Sequence, residues 1–400
     1  MKKYLVILFD GMADYPNDQG KTPMVEANKP TVDALASRAE VGLCQTVPAG
    51  MKPGSDVANL SVMGYDPKIY YTGRSPLEAL SIGVAMNPED VSYRCNLVTL
   101  SADEPFENKT MVDYSSGEIT TDEARELILY LADKLTLPAS LKLFPGISYR
   151  HCLLRLNGKT GMTLTPPHDI SDRKITQYLP KGEYADEMLD IMKQSYALLI
   201  DHPVNIARVK RGLNPATSVW FWGEGRKPLL TPFSELRNKS GAVISAVDLI
   251  KGIGIGAKMT SIDVEVATGN IETNFDGKAQ AGIDALKTHD FVYIHVEAPD
   301  ECGHQGQYAQ KTESIGLIDS KIVKPIIEHL RANSTPFKIA ILPDHATPIK
   351  LKTHVSDPVP YLIYDSENEV VGVETFNEFT AKNTGITLDS GVLVMEKLLS

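Results

Sequence analysis

The chain has 400 residues, with 40 Lys and Arg against 51 Asp and Glu, so its formal net charge is −11. Its 42% apolar and 23% charged content is a globular composition that excludes an intrinsically disordered chain, and the length fits two domains. The acidic balance also disfavours general nucleic-acid binding, because phosphate repels it.

Lys2-Lys3 precedes the apolar run Tyr4 to Phe9, which ends in Asp10. The run is shorter than the roughly 7–15 residues of a secretory h-region, and it predicts a buried strand. A helical pattern follows from Pro30 to Ala39. Met51-Lys-Pro-Gly54 predicts a tight turn, and Val57 to Gly64 an apolar helix with Ser55 at its N-terminus. Free backbone N–H groups and the dipole favour an anion there, although Ser is also a favoured N-cap. Strand-like Ser92–Leu100 and His151–Leu156 flank a predicted helix from Thr121 to Leu135, with acidic residues in its first turn. Residues 186–200 predict another amphipathic helix. Lys251-Gly-Ile-Gly-Ile-Gly256 lacks G-x-G-x-x-G spacing and reads as a turn beside a sheet. With no G-x-x-x-x-G-K-[ST] loop either, ordinary P-loop ATP chemistry is excluded. Helical patterns at Ala279–Leu286 and Ile315–Ala332 alternate with two more apolar runs, Phe291–Val296 leading to Asp300 and Lys338–Leu342 leading to Asp344. No stretch reads as a transmembrane span.

Near-continuous apolar runs suit strands buried on both faces of a parallel sheet, and their alternation with helices predicts an α/β fold. The first such strand starts at residue 4 and the others lie beyond 290. One sheet is therefore expected from both ends of the chain, as a core of residues 1–84 and 186–400 with a smaller α+β domain inserted at 85–185. Open α/β sheets carry their chemistry at the carboxyl ends of the strands, so Asp10, Asp300 and Asp344 should converge. The four cysteines, Cys44, Cys95, Cys152 and Cys302, show no C-x-x-C spacing, which predicts a reduced, cytoplasmic protein.

Histidines accompany the three acids. Asp300-Glu-Cys-Gly-His304 is D-x-x-x-H, Asp344-His345 is an adjacent pair, and His354 follows nine residues later. A single strand-end Asp is usually a cap, but three with three histidines form an oxygen and nitrogen donor set suited to Zn²⁺, Mn²⁺ or a similar ion. Six donors are too many for one catalytic metal with open positions and divide naturally into two sites, which could clamp a phosphoryl displacement. A serine hydroxyl beside such ions is a competent nucleophile at neutral pH, and the helix end at Ser55 would hold the phosphoester. Cys302 reads as a bystander, and His202, His289, His295 and His329 as surface or core residues.

Asp10-Gly-Met-Ala-Asp14, Pro53-Gly-Ser-Asp56, Asn59-Leu-Ser-Val-Met-Gly-Tyr-Asp66, Tyr71-Thr-Gly-Arg-Ser-Pro-Leu-Glu78, Asp300-Glu-Cys-Gly-His304 and Pro343-Asp-His345 resemble the archaeal-type cofactor-independent (2,3-bisphosphoglycerate-independent) phosphoglycerate mutases of the alkaline phosphatase superfamily. The resemblance spans most of the chain and is weakest around 180–240. It is also close to a subgroup proposed as homoserine kinases. It implies an alkaline-phosphatase-like core and a glycolytic isomerase that interconverts 3-phosphoglycerate and 2-phosphoglycerate through phosphorylated Ser55. One ion would be held by Asp10, Ser55, Asp344 and His345, the other by Asp300, His304 and His354. Manganese is the metal the family suggests, with zinc and magnesium as alternatives, and no nucleotide or 2,3-bisphosphoglycerate is required. A homoserine kinase-like phosphotransferase and a metal-dependent phosphatase are the alternatives on the same core.

The inserted domain should exclude water and bind substrate. Arg150 and His151, His168 and Asp169 fit that task, Arg by bidentate carboxylate recognition and His by titrating near working pH. Arg74 and Lys278 are further phosphate-contact candidates. The expected partner is a small phosphorylated substrate, with no nucleic acid and no membrane, and the expected assembly a monomer or small homo-oligomer.

Overall fold

A computed structural model describes residues 1–400 and divides them into two compact units, residues 1–71 with 229–400, and residues 72–228. The first unit is α/β. Its eight-stranded sheet runs, from edge to edge, Thr387–Leu388, Glu40–Cys44, Val359–Asp365, Phe337–Leu342, Lys3–Phe9, Phe291–Val296, Gly241–Ile244 and Thr260–Ile262. Lys3–Phe9 lies between Phe337–Leu342 and Phe291–Val296 and is parallel to both. The three apolar runs that end in acids are thus three adjacent strands pointing the same way. Only Val359–Asp365 runs antiparallel to its neighbours.

These strands lack polar alternation because helices cover both faces. Leu5, Ile7, Phe9, Val292, Ile294, Ile339 and Ile341 pack with Ala279, Leu286, Ile315, Ile322 and Ile326 from the helical segments of one layer. Burying each large side chain of this kind contributes about 1.5–3 kcal/mol. The Asp248–Gly256 and Val392–Leu399 helices pack against the sheet and against the Ser55–Val62 helix. Residues 252–256, expected as a turn, are therefore the end of a helix. Gly254 serves close packing: a Cβ there would lie 2.8 Å from Val243 Cγ2. The Ile315–Ala332 pattern is helical but interrupted by a π-helical turn at Asp319–Val323, just before Pro325. There the buried Asp319 accepts from the backbone N–H groups of Thr31 and Val32, at 3.3 and 2.7 Å, and so satisfies the start of the Pro30–Ala36 helix. No helix is long and apolar enough to cross a membrane.

The second unit is built on antiparallel strands. Val91–Leu100 pairs with Arg150–Arg155 on one side and Ser218–Arg226 on the other, and Leu141–Ile147 extends the sheet beyond Arg150–Arg155. The Thr121–Lys134 and Ala185–Leu199 helices pack over it with Leu127, Ile128, Leu131, Met188, Ile191 and Met192 in its core. Thr120 caps the first helix, its side chain accepting from the Glu123 N–H. The limits of this unit differ from the expected 85 and 185. Residues 186–228 belong to it because Ser218–Arg226 pairs with Val91–Leu100, and residues 72–84 because the Arg74–Ser81 helix packs on those strands.

Candidate active site

Asp10 directly follows the Lys3–Phe9 strand, and Asp344 follows Phe337–Leu342 by two residues. Asp300 lies in the Ala298–Gln305 helix that begins just after Phe291–Val296. The loop after Asp10 turns sharply through Gly11, at φ +62°, where a Cβ would sit 2.7 Å from the Asp300 Cα. Only glycine lets these two segments approach so closely. The Gly11 N–H donates to Asp344 Oδ1 at 3.2 Å. The sheet thereby brings the three acids together, and the six histidine and carboxylate donors fall into two groups. Asp10, Asp344 and His345 each offer an atom within 4.8 Å of the others, as do Asp300, His304 and His354.

Each group is held from behind. Asp344 Oδ2 accepts from Asn59 Nδ2 at 2.8 Å, and Asn59 Oδ1 accepts from the Tyr293 hydroxyl at 2.6 Å. Asn59 Nδ2 also donates to the Ser55 carbonyl at 2.9 Å, tying the Ser55–Val62 helix to Asp344. Ser55 is the first residue of that helix, after Gly54, and its Oγ lies 3.2 Å from His345 Nε2. His304 and His354 bring their Nε2 atoms to 2.9 Å of each other, at 3.2 and 3.5 Å from the two Asp300 oxygens. His304 Nδ1 faces the Lys352 carbonyl at 3.0 Å. A carbonyl only accepts, so Nδ1 carries the proton there.

The electrostatics call for positive charge. Burial, followed by the charges of Asp344 and Asp300, pushes the Asp10 carboxyl well above the usual carboxylate range. Asp10 Oδ1 is buried with no hydrogen-bond partner, an arrangement that costs free energy unless something else faces it. Burial also opposes ionisation of Asp300, but His304 and His354 outweigh it and hold that carboxyl well below the usual range. Burial pulls the His304 imidazole down, yet its Asp300 contact prevails and raises it to about 9. Burial keeps His345 below its ordinary value. A buried oxygen without a partner beside three carboxylates and three imidazoles fits a pair of divalent cations.

Comparison with known proteins gives the family. A relative from Methanosarcina barkeri (strain Fusaro / DSM 804), named a 2,3-bisphosphoglycerate-independent phosphoglycerate mutase, is 48% identical over 404 residues, covering 99% of this chain and 100% of its own. The chain belongs to the 2,3-bisphosphoglycerate-independent phosphoglycerate mutase family. The sequence profile of that family matches residues 36–205. Among solved structures, the PH0037 protein from Pyrococcus horikoshii superposes with a TM-score of 0.83 at 27% identity, covering 100% of this chain and 98% of its own. The cofactor-independent phosphoglycerate mutase from Thermoplasma acidophilum DSM 1728 shares the fold, with a TM-score of 0.66 at 24% identity over 100% of this chain and 99% of its own.

Four residues around the donor groups carry no role in the sequence reading: His295, Tyr293 and Thr347 stand in no motif, and Asn59 opens the Asn59–Asp66 block without a role of its own. His295, expected as a surface or core residue, is fully buried with Nε2 2.8 Å from Asp10 Oδ2. Tyr293 and Asn59 support Asp344, and Thr347 touches both Asp300 and His345. The available signal is periodicity. Tyr293 and His295 sit two apart on one strand, so they face the same way, and Asn59 is one helical turn after Ser55. Lys278, expected to contact phosphate, is instead fully buried, and its Nζ donates to the His295 carbonyl at 3.0 Å. Burial lowers it to about 8.

The second unit gathers some of the expected substrate residues and not others. Glu78 pairs with Arg74 and Arg94, at 2.9 and 2.8 Å. Arg94 lies over the Trp222 ring at 4.0 Å, and the exposed His168 meets that ring edge-on at 5.2 Å. Arg150 is exposed, with its guanidinium 5.2 Å from the Tyr149 ring centre. Asp169 is exposed, 3.7 Å from His168. His151 departs from expectation: it is buried, accepts from the Gly146 N–H at 3.0 Å, and has no partner at Nε2. Burial, then Arg150, lowers it to about 3, so it stays neutral and cannot shuttle protons near neutral pH.

Proposed function

We propose that this chain is a metal-dependent phosphoglycerate mutase that interconverts 3-phosphoglycerate and 2-phosphoglycerate through a phosphoserine at Ser55. The observation that carries the reading is the position of the Ser55 hydroxyl, at a helix N-terminus and 3.2 Å from Nε2 of His345, a member of one of the two clustered donor sets. Asp10, Asp344 and His345, joined by the Ser55 hydroxyl, would hold one cation, and Asp300, His304 and His354 the other. Bound divalent ions would neutralise the phosphoryl oxygens and acidify the serine hydroxyl. Ser55 Oγ attacks phosphorus, and the substrate hydroxyl leaves with a proton. The second hydroxyl of glycerate then takes the phosphoryl group back and Ser55 regains its proton, so no water or co-reactant is consumed. The free N–H groups at the start of the Ser55–Val62 helix suit the phosphoester.

Manganese is the metal we assign, because the family resemblance suggests it; the mixed carboxylate and imidazole donors suit zinc as well. Four unpaired thiols suit a reducing cytoplasm, where a glycolytic enzyme would work. In the second unit, Arg74, Arg94 and Arg150 act together on Glu78, a cationic grouping suited to a carboxylate or phosphate. The mutase names of full-length relatives favour this reading over transfer to homoserine. The test is to give the purified, Mn²⁺-loaded chain 3-phosphoglycerate in one assay and homoserine with a phosphate donor in another. The proposal expects 2-phosphoglycerate as the dominant product. Faster formation of phosphohomoserine, or release of free phosphate ahead of isomerisation, would overturn it.

A further inference from the structure

We infer that Thr347 fixes the tautomer of His345 and links the two donor groups through one hydroxyl, an inference that rests on the metal-dependent reading above. Thr347 is fully buried. Its Oγ1 is hydrogen-bonded to Asp300 Oδ1 and lies 3.2 Å from His345 Nδ1. A hydroxyl has one proton to give and lone pairs to receive others, while a carboxylate oxygen only accepts. The Thr347 proton therefore goes to Asp300, and toward His345 the hydroxyl can only accept. His345 Nδ1 must carry its proton, and Nε2 must present its lone pair to Asp10, Asp344 and the Ser55 hydroxyl. The chain His345 Nδ1–H, Thr347 Oγ1–H, Asp300 Oδ1 runs from one donor group to the other with every proton assigned.

The hydroxyl is held so that it has no other choice. The Thr347 carbonyl accepts from buried Lys311 Nζ at 2.8 Å, and its N–H donates to the Ala13 carbonyl at 3.3 Å. On the opposite side the helix that carries Asp300 and His304 presents Gly303, where a Cβ would lie 2.6 Å from the Thr347 carbonyl oxygen and 2.8 Å from Cγ2. Both the threonine backbone and its methyl group are thus confined. The second donor group uses the same device with a different acceptor, His304 Nδ1 against the Lys352 carbonyl. Two of the three histidines therefore have their metal-facing nitrogen chosen by an acceptor behind the ring.

The test is histidine ¹⁵N NMR of the metal-free full-length chain, with His345 assigned from the spectrum of His345→Asn, together with Mn²⁺ titration of wild type, Thr347→Ser and Thr347→Val. His345 should show a protonated Nδ1 and a bare Nε2, and Thr347→Ser should keep both. Thr347→Val, close in shape but without the hydroxyl, should lose that preference and bind Mn²⁺ about 10–100-fold more weakly. If the valine variant does not fold, the wild-type and serine spectra decide alone. A protonated Nε2 in the wild type, or a valine variant with wild-type tautomer and Mn²⁺ affinity, would overturn the inference. Neither readout depends on turnover. A wild type with the expected tautomer and Mn²⁺ binding but no phosphoglycerate isomerisation would overturn the mutase reading and support the role of Thr347.

Discussion

His295 Nε2 lies 2.8 Å from Asp10 Oδ2, and its Nδ1 lies 3.2 Å from Ser245 Oγ. A carboxylate oxygen only accepts, so the imidazole donates through Nε2 to Asp10; burial holds His295 neutral, which leaves Nδ1 to accept from the Ser245 hydroxyl, itself an acceptor for the Val247 N–H. One Asp10 oxygen is thereby held while Oδ1 stays open. His295→Ala should weaken Mn²⁺ binding about 10–100-fold by calorimetric titration, and His295→Gln, which can still donate, should recover part of the loss. Equal affinities in all three proteins would show that Asp10 needs no such support.

Lys311 is buried against Asp14, with Nζ 2.8 Å from Oδ2, and also donates to the carbonyls of Ala13 and Thr347. It thus ties the loop after Asp10 to the loop after His345. Removing one partner of a buried pair strands the other charge, so Lys311→Met should cost about 3–5 kcal/mol in urea unfolding. Adding Asp14→Asn should recover a substantial part of it. A single variant as stable as wild type would show that the pair is expendable.

Acid stability should depend on His151. Its folded value near 3, set by burial and then Arg150, lies below the ordinary 6.5. Between those values the unfolded chain binds a proton that the folded chain does not. Stability should therefore fall as pH drops from about 6.5 toward 3. Circular dichroism during acid titration should show His151→Gln losing less stability across this window than wild type, whatever its stability at neutral pH. Identical slopes would place the acid lability elsewhere.

Ser55→Ala should lower isomerisation by about a thousandfold or more. The Ser55 hydroxyl lies beside His345 Nε2 at the partly exposed start of its helix, so the thermal midpoint should stay close to wild type. Stopped-assay kinetics with matched melting curves separate the two effects.

The strand-end acids were legible because a strand buried on both faces is written as an uninterrupted apolar run, and an Asp that closes such a run stands out. Ser55 was legible from the Pro-Gly turn before an apolar helix. His295 was not, because its meaning depends on pairing: it lies opposite Leu8 in the parallel register, which brings it to Asp10. Asn59 and Thr347 were not, because their decisive hydrogen bonds reach residues far away in sequence, Asn59 to Asp344 and Tyr293 and Thr347 to Asp300. The glycines at 252–256 misled because Gly is a poor helix former, whereas here Gly254 buys close approach to Val243. The limits of the second unit were hidden because Ser218–Arg226 pairs with a strand more than a hundred residues earlier.

The most direct measurement follows the phosphoryl group itself. The Mn²⁺-loaded chain is mixed with ³²P-labelled 3-phosphoglycerate, quenched in acid within one turnover, and digested for peptide mapping. Label should appear on the peptide containing Ser55 and then in 2-phosphoglycerate, with none exchanged into free phosphate. Isomerisation with no label on the chain, or with label on a different residue, would contradict the account.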